Sequence, residues 1–190
     1  METTAVGDIV FFHGAGDGAY DIDSEMAADL RSRLGDGYSV VMPQLPEEDD
    51  ADDRAWLATI ERAIADAVPP VVLVGHSAGG YMLLKHLTTS PVTPSVAAIC
   101  VIAAPFPAGD PDWTFDGFDL PEGFGDRLPP GAAVLLYASE DDEIVPFAHR
   151  DLYGRAIASA VTRTTTGGHQ LGNDLSAVAD DIRAIAERGR

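Results

Sequence analysis

Ser77 lies in the stretch VVLVGHSAGGYMLL (71–84), with Gly75 two residues before it and Gly79 two residues after it. Val71 to Val74 read as a buried strand, and Tyr81 to Leu84 with Leu87 read as a helix. A residue at so tight a strand-to-helix turn is driven toward positive φ, and small neighbours let the chain fold back on itself. The turn projects the hydroxyl outward and aims the amide of Ala78, at a helix N-terminus, toward whatever forms beside it. That is the chemistry of a nucleophile attacking a carbonyl, with an N–H ready for the resulting oxyanion. A tight turn with an incidental serine is the competing reading; the apolar strand before it and the helix behind it favour the nucleophile.

A serine hydroxyl is a weak nucleophile until a base takes its proton, and the base needs a carboxylate to orient it. Five histidines compete. His13 ends the first apolar strand and reads as a structural residue. His76 is beside Ser77, so its side chain should point elsewhere. His86, late in a helix, and His149, early in a polar one, read as surface residues. His169 lies in TGGHQLG, a glycine-flanked loop after the last strand. For the carboxylate, the loop SEDDEIVP (139–146) offers Glu140, Asp141, Asp142 and Glu143, all suitable by type.

The elements that must position these groups alternate along the chain. Strands are expected over 7–12, 38–42, 71–74, 96–103, 132–138 and 160–165. Helices are expected over 21–34, 53–68, from 78 onward, over 146–157, and in a last segment carrying Leu175, Val178, Ile182 and Ile185. Met26, Leu30 and Leu34 fall on one face of the first helix; Trp56, Ile60, Ile64 and Ala67 fall on one face of the second. Continuous apolar strands alternating with helices predict a parallel sheet covered on both faces, a three-layer α/β/α sandwich. The long irregular segments (13–20, 43–52, 105–127, 139–145 and 167–172) all follow strands, the edge where such sheets bind ligands.

Composition narrows the function. The chain has 190 residues, 46% of them hydrophobic and 23% charged, and 31 Asp and Glu against 12 Lys and Arg give a net charge of −19. That balance argues against nucleic acid and anionic membranes as partners, since both need clustered cations. Cys100 is the single cysteine; it reads as a buried inert thiol. The apolar run 96–104 is too short to span a bilayer, and the N-terminal stretch METTAVGDIVFF has no basic region, so a cytoplasmic protein is expected. The carboxylates of PEEDDADD (46–53) are not spaced as a calcium loop. They read as a solvated loop in which Asp52 or Asp53 caps the next helix, leaving a negative rim on the catalytic edge.

Five segments in order, FFHGAG, VGHSAGG, IAAPF, SEDDEIVPF and GGHQLGND, resemble the α/β-hydrolase superfamily over nearly the whole chain. Within it, the chain looks like the small lidless YdeN-type serine hydrolases, the group of retinoblastoma-binding protein nine. The resemblance implies a minimal α/β-hydrolase fold, one domain over 1–190, with strand order 2-1-3-4-5-6. It implies the chain order nucleophile, acid, base, which admits only His149 and His169 and, by its loop, favours His169. It implies an acid followed, after two residues, by an aliphatic and a proline. Asp142, with Val145 and Pro146 behind it, meets that spacing; Asp141 is one step off and should face solvent. The second oxyanion amide would be that of Ala15.

Residues 105–131 carry Phe106, Trp113, Phe115, Phe118 and Phe124 among many Gly, Pro and Asp, without helical period. A surface excursion with tucked-in aromatics and a short cap lining the substrate pocket are equal readings. In the second, Phe106, Trp113 and Phe115 join His13 and Gly14 around the substrate. The expected function is hydrolysis of carboxylic esters or related acyl compounds, without metal or cofactor, on a small-molecule substrate. The alternative is a non-catalytic binding or regulatory module on the same fold. Nothing in the sequence specifies an oligomeric state.

Overall fold

A computed structural model describes residues 6–46, 53–106, 110 and 119–189. Six strands form one parallel sheet: β1 (Asp8–Phe12), β2 (Ser39–Val41), β3 (Val71–His76), β4 (Val96–Ile102), β5 (Ala133–Ser139) and β6 (Val161–Thr165). Their order is β2-β1-β3-β4-β5-β6, as the resemblance implies. Among the described residues, the α-helices α1 (Ala19–Leu34), α2 (Asp53–Asp66), α3 (Ala78–Thr89) and α4 (Ala148–Ala156) lie between strands, and α5 (Ser176–Arg188) follows β6.

The strand side chains alternate between two cores. Ile9, Phe11, Val72, Val74, Cys100, Ile102, Leu135 and Tyr137 pack under α1 and α5, against Met26, Leu30, Val178 and Ile182. Val10, Phe12, Leu73, Ile99, Val101 and Leu136 pack under α2, α3 and α4, against Trp56, Ile60, Leu84 and Tyr153. The sheet is therefore buried on both faces, and each fully buried Leu or Ile stabilises the fold by about 1.5–3 kcal/mol. Register places the carboxyl ends of β1, β3, β4, β5 and β6 along one edge, with Phe12 paired to Gly75, His76 to Ile102, Ile102 to Tyr137 and Ser139 to Thr165.

Two expectations need correction. β6 is not a continuous apolar run: VTRTT is exposed or half-buried throughout, because an edge strand has one unpaired side and less helix above it. His86 and His149 are not surface residues; both are buried. His86 lies on α3, whose sides are almost all covered, and burial holds its pKa below the ordinary histidine value. His149 accepts from the Phe106 amide (2.9 Å) at Nδ1 and meets Asp110 (3.1 Å) at Nε2. It thereby ties the chain after β4 to the start of α4. Among the described residues, no helix is long and apolar enough to cross a membrane.

Candidate active site

The turn after β3 is built by close approach. A Cβ on Gly79 would sit 2.2 Å from the His13 carbonyl oxygen, and one on Gly75 would sit 2.6 Å from the Gly80 Cα. Only glycine lets α3 start so near β1 and β3. Ser77, between them, takes φ 52° and ψ −127°, a strained conformation for a residue with a Cβ, costing on the order of 1–3 kcal/mol. The turn is pinned by the Ser77 amide donating to Ile102 (2.8 Å) and by the Ser77 carbonyl accepting from Gly80 and Tyr81. Its side chain makes no capping hydrogen bond. Ala78 is the first residue of α3, whose leading N–H groups have no helical acceptor.

The loop after β5 brings a carboxylate into the same region. Asp142 Oδ1 accepts from the Ile144 (2.8 Å) and Val145 (2.9 Å) amides, and Oδ2 lies 2.9 Å from His169 Nδ1. The side chains of His169 and Asp142 are 7% and 1% exposed. An ionised carboxylate only accepts, so Nδ1 carries the hydrogen and Nε2 is left with its lone pair. Burial by itself would raise the Asp142 pKa; the bonds from His169, Val145 and Ile144 outweigh it and hold the carboxyl below its ordinary value. Asp141 faces solvent, but it does more than solvate the loop. Its oxygens accept from the Gly167 (3.2 Å) and Gly168 (3.1 Å) amides, so it clamps the loop that carries His169. Those bonds, Gly168 foremost, lower its pKa.

The depressed Asp142 pKa has a sign. The folded carboxyl binds its proton less readily than the unfolded one, whose pKa is about 3.9. Its contribution is present above that value and is lost as pH falls through the folded pKa. Melting temperature is expected to hold from neutral pH to about 5 and to drop below about 4. An Asp142→Asn variant should show a shallower acid drop, measured by circular dichroism across that range.

A cavity of about 230 Å³ collects these groups: Gly14, Ala15, Asp17, Ala19, Ile22, Asp23, His76, Ser77, Ile144, His169 and Gln170 line it. Ser77 and His169 thus share one space with Ala15. Among the described residues no hydrogen bond joins the Ser77 hydroxyl to the His169 ring. Nucleophile–base bonds commonly tighten only when substrate is bound. Of the other expected pocket residues, Gly14 is on the wall, but His13 and Phe106 are not. His13 is fully buried; its Nδ1 meets the Gly14 carbonyl (2.7 Å) and its Nε2 accepts from the Leu45 amide (2.8 Å), so it stiffens the loop from below. Phe106 turns into the core against Tyr153, ring centroids 4.6 Å apart. Trp113, Phe115 and residues 47–52 of the acidic stretch lie outside the described residues.

Two residues near Ser77 escaped the reading of the sequence. His76 does not turn away from the site; its ring stands on the cavity wall, centroids 4.7 Å from the His169 ring. Asp23, buried in α1, meets His76 Nδ1 at 2.6 Å. The signal for Asp23 is its spacing: it falls in register with Met26, Ala27 and Leu30 on the buried stripe of α1. A carboxylate there needs a buried partner.

A model of the alpha/beta hydrolase family matches residues 9–187 of the chain. Among solved structures, the chain is similar to the ydeN gene product from B. subtilis (20% identity, covering 95% of this chain and 99% of that one, TM-score 0.70). It is similar to Est1E from Butyrivibrio proteoclasticus (14% identity, 99% and 90% covered, TM-score 0.70). It is also similar to the esterase domain of a Rhodothermus marinus protein (19% identity, 98% and 85% covered, TM-score 0.62). At these identities the likeness is one of fold. No curated protein matches the chain.

Proposed function

The chain belongs to the alpha/beta hydrolase family, and from that premise we propose that it is a serine hydrolase cleaving small carboxylic esters or related acyl compounds. The observation that carries the reading is the His169–Asp142 pair opening onto the same cavity as Ser77 at its strained turn. Ser77 Oγ attacks the substrate carbonyl carbon while His169 Nε2 takes the hydroxyl proton. Asp142 keeps Nδ1–H in place and offsets the charge of the imidazolium. The amides of Ala15 and Ala78 donate to the oxyanion of the tetrahedral intermediate. Its collapse breaks the bond to the alcohol, which leaves with the proton from Nε2 and gives an acyl-serine. Water, deprotonated by His169, then attacks that ester; the acid departs and Ser77 recovers its proton.

A fluorophosphonate probe tests this directly. The expected result is one adduct per chain, located by mass spectrometry on the peptide bearing Ser77. A chain that stays unlabelled under conditions that label a known esterase would instead be the non-catalytic module.

The site also carries a charge preference. Asp17 is exposed on the cavity wall of a chain with net charge −19, and surface charge acts over about 10 Å at 0.1 M salt. Neutral or cationic short esters are expected to give higher kcat/KM than anionic isosteres, and the gap should narrow as salt rises. Equal rates for matched neutral and anionic esters at low salt would show that the field does not reach the reacting carbonyl.

A further inference from the structure

The proposed chemistry leaves the second histidine on the cavity wall without a task, and its bonds are specific. His76 Nδ1 is 2.6 Å from Asp23 Oδ2, and its Nε2 is 3.0 Å from the backbone carbonyl oxygen of His169. Asp23 Oδ2 also accepts from the Gly14 amide at 2.8 Å. Both side chains of the pair are 2% exposed. Carboxylate and carbonyl are both acceptors, and a neutral imidazole has one N–H. Both neighbours can only accept, so each ring nitrogen faces an acceptor and the ring is held from both sides.

A buried polar pair is weak evidence for a role in stability, since well-packed apolar residues often serve as well or better. Its position is more telling. Asp142 holds the His169 ring, and Asp141 holds Gly167 and Gly168, but both belong to the loop after β5. They fix the base relative to β5, not relative to the nucleophile. Among the described residues, the hydrogen bond from His76 to the His169 carbonyl is the direct polar link between the base loop and the turn bearing Ser77. The same pair reaches the third part of the site. By engaging the Gly14 amide, Asp23 orients the loop whose next amide is that of Ala15.

Resting on the hydrolase reading above, we propose that Asp23 and His76 are positioning residues: a buried hydrogen-bonded strut that holds the nucleophile turn, the base loop and the oxyanion loop in mutual register. Asp23→Asn keeps an oxygen for Gly14 but replaces the carboxylate that His76 Nδ1 faces with an amide. The weaker partner at Nδ1 loosens the ring's hold on the His169 carbonyl oxygen. His76→Asn keeps a donor toward Asp23 and cannot reach that carbonyl.

The test uses the full chain, an activated p-nitrophenyl ester and the thermal melt of each variant. Misplacement of reacting groups by about 1 Å costs up to roughly 100-fold. Both variants are therefore expected to lose about 10- to 100-fold in kcat, with KM moving less than about threefold, and to keep a cooperative melt. A structural role would not predict the second result. Placed in a His169→Ala background, neither substitution should lower the residual rate further, because residues acting through one group are not additive.

Wild-type kcat in both variants would overturn the strut. So would an undiminished loss in the His169→Ala background, or the loss of cooperative melting in both variants. If wild-type protein labels with fluorophosphonate while the two variants turn over normally, only the strut fails. If wild type neither labels nor turns over ester, the hydrolase reading falls and takes the strut with it.

Discussion

Ser77→Ala is expected to cut ester turnover by about 10⁴- to 10⁶-fold, the range for losing the nucleophile of a serine triad, while the melting temperature stays where it was. The rate loss corresponds to about 5–8 kcal/mol of transition-state stabilisation. The side chain contributes no capping hydrogen bond, and the turn is held by the residue's backbone, which alanine keeps. The positive φ is as strained for alanine as for serine, so strain cancels in the comparison. Steady-state kinetics on an activated ester and a thermal melt check both halves. A variant retaining more than a tenth of wild-type kcat would remove Ser77 from the mechanism.

Asp142→Asn is expected to lower kcat about 10⁴-fold, the size of the same one-atom change in a serine-protease triad. The local bonds explain why so small a change should be so costly. Oδ1 is claimed by the Ile144 and Val145 amides, so the asparagine oxygen is held at that end. Its NH₂ must then face His169 Nδ1. The ring can accept that bond only by moving its own hydrogen to Nε2, the nitrogen that should take the serine proton. Asp141→Asn keeps an acceptor for the Gly167 and Gly168 amides and should cost less than about tenfold, ~1.4 kcal/mol. Glu140→Gln, at an exposed position, should cost nothing measurable. Measuring kcat for the three variants with one ester decides among them: a dead Asp141→Asn beside an active Asp142→Asn would move the acid one residue earlier.

What was legible in the sequence was local or periodic. The glycines at 75 and 79 announce close backbone approach, because no other residue fits a turn whose Cβ atoms would meet main chain. The stripes of α1 and α2 announce their buried faces through Met26, Leu30, Trp56 and Ile60. The alternation of strands and helices yields the sheet. What was hidden depends on partners far along the chain. His76 and Asp23 are 53 residues apart; no spacing rule connects a residue on a helix to one at a strand end. His149 looked like the polar face of a short helix, yet the chain leaving β4 folds over it and supplies the Phe106 amide as its donor. Asp141 looked idle because its partners, Gly167 and Gly168, present only backbone N–H groups, which leave no trace in residue type. Aromatic character alone leaves Phe106 open to a pocket or a core position, and Tyr153 and Phe124 give it the core one.

The order in which the site's parts occur along the chain has a consequence for the newborn protein. Ser77 directly follows the third strand, whereas His169 follows the sixth, about ninety residues later. At a synthesis rate of roughly 5–20 residues per second, the histidine leaves the ribosome some 5 to 20 seconds after the serine. Through that interval the Ser77 turn is without His169, the base of the proposed mechanism. On the proposed mechanism, a growing chain therefore carries Ser77 without its base until the loop after β6 has emerged. On the same mechanism, a product cut short before β6 lacks His169 and is expected to turn over no ester.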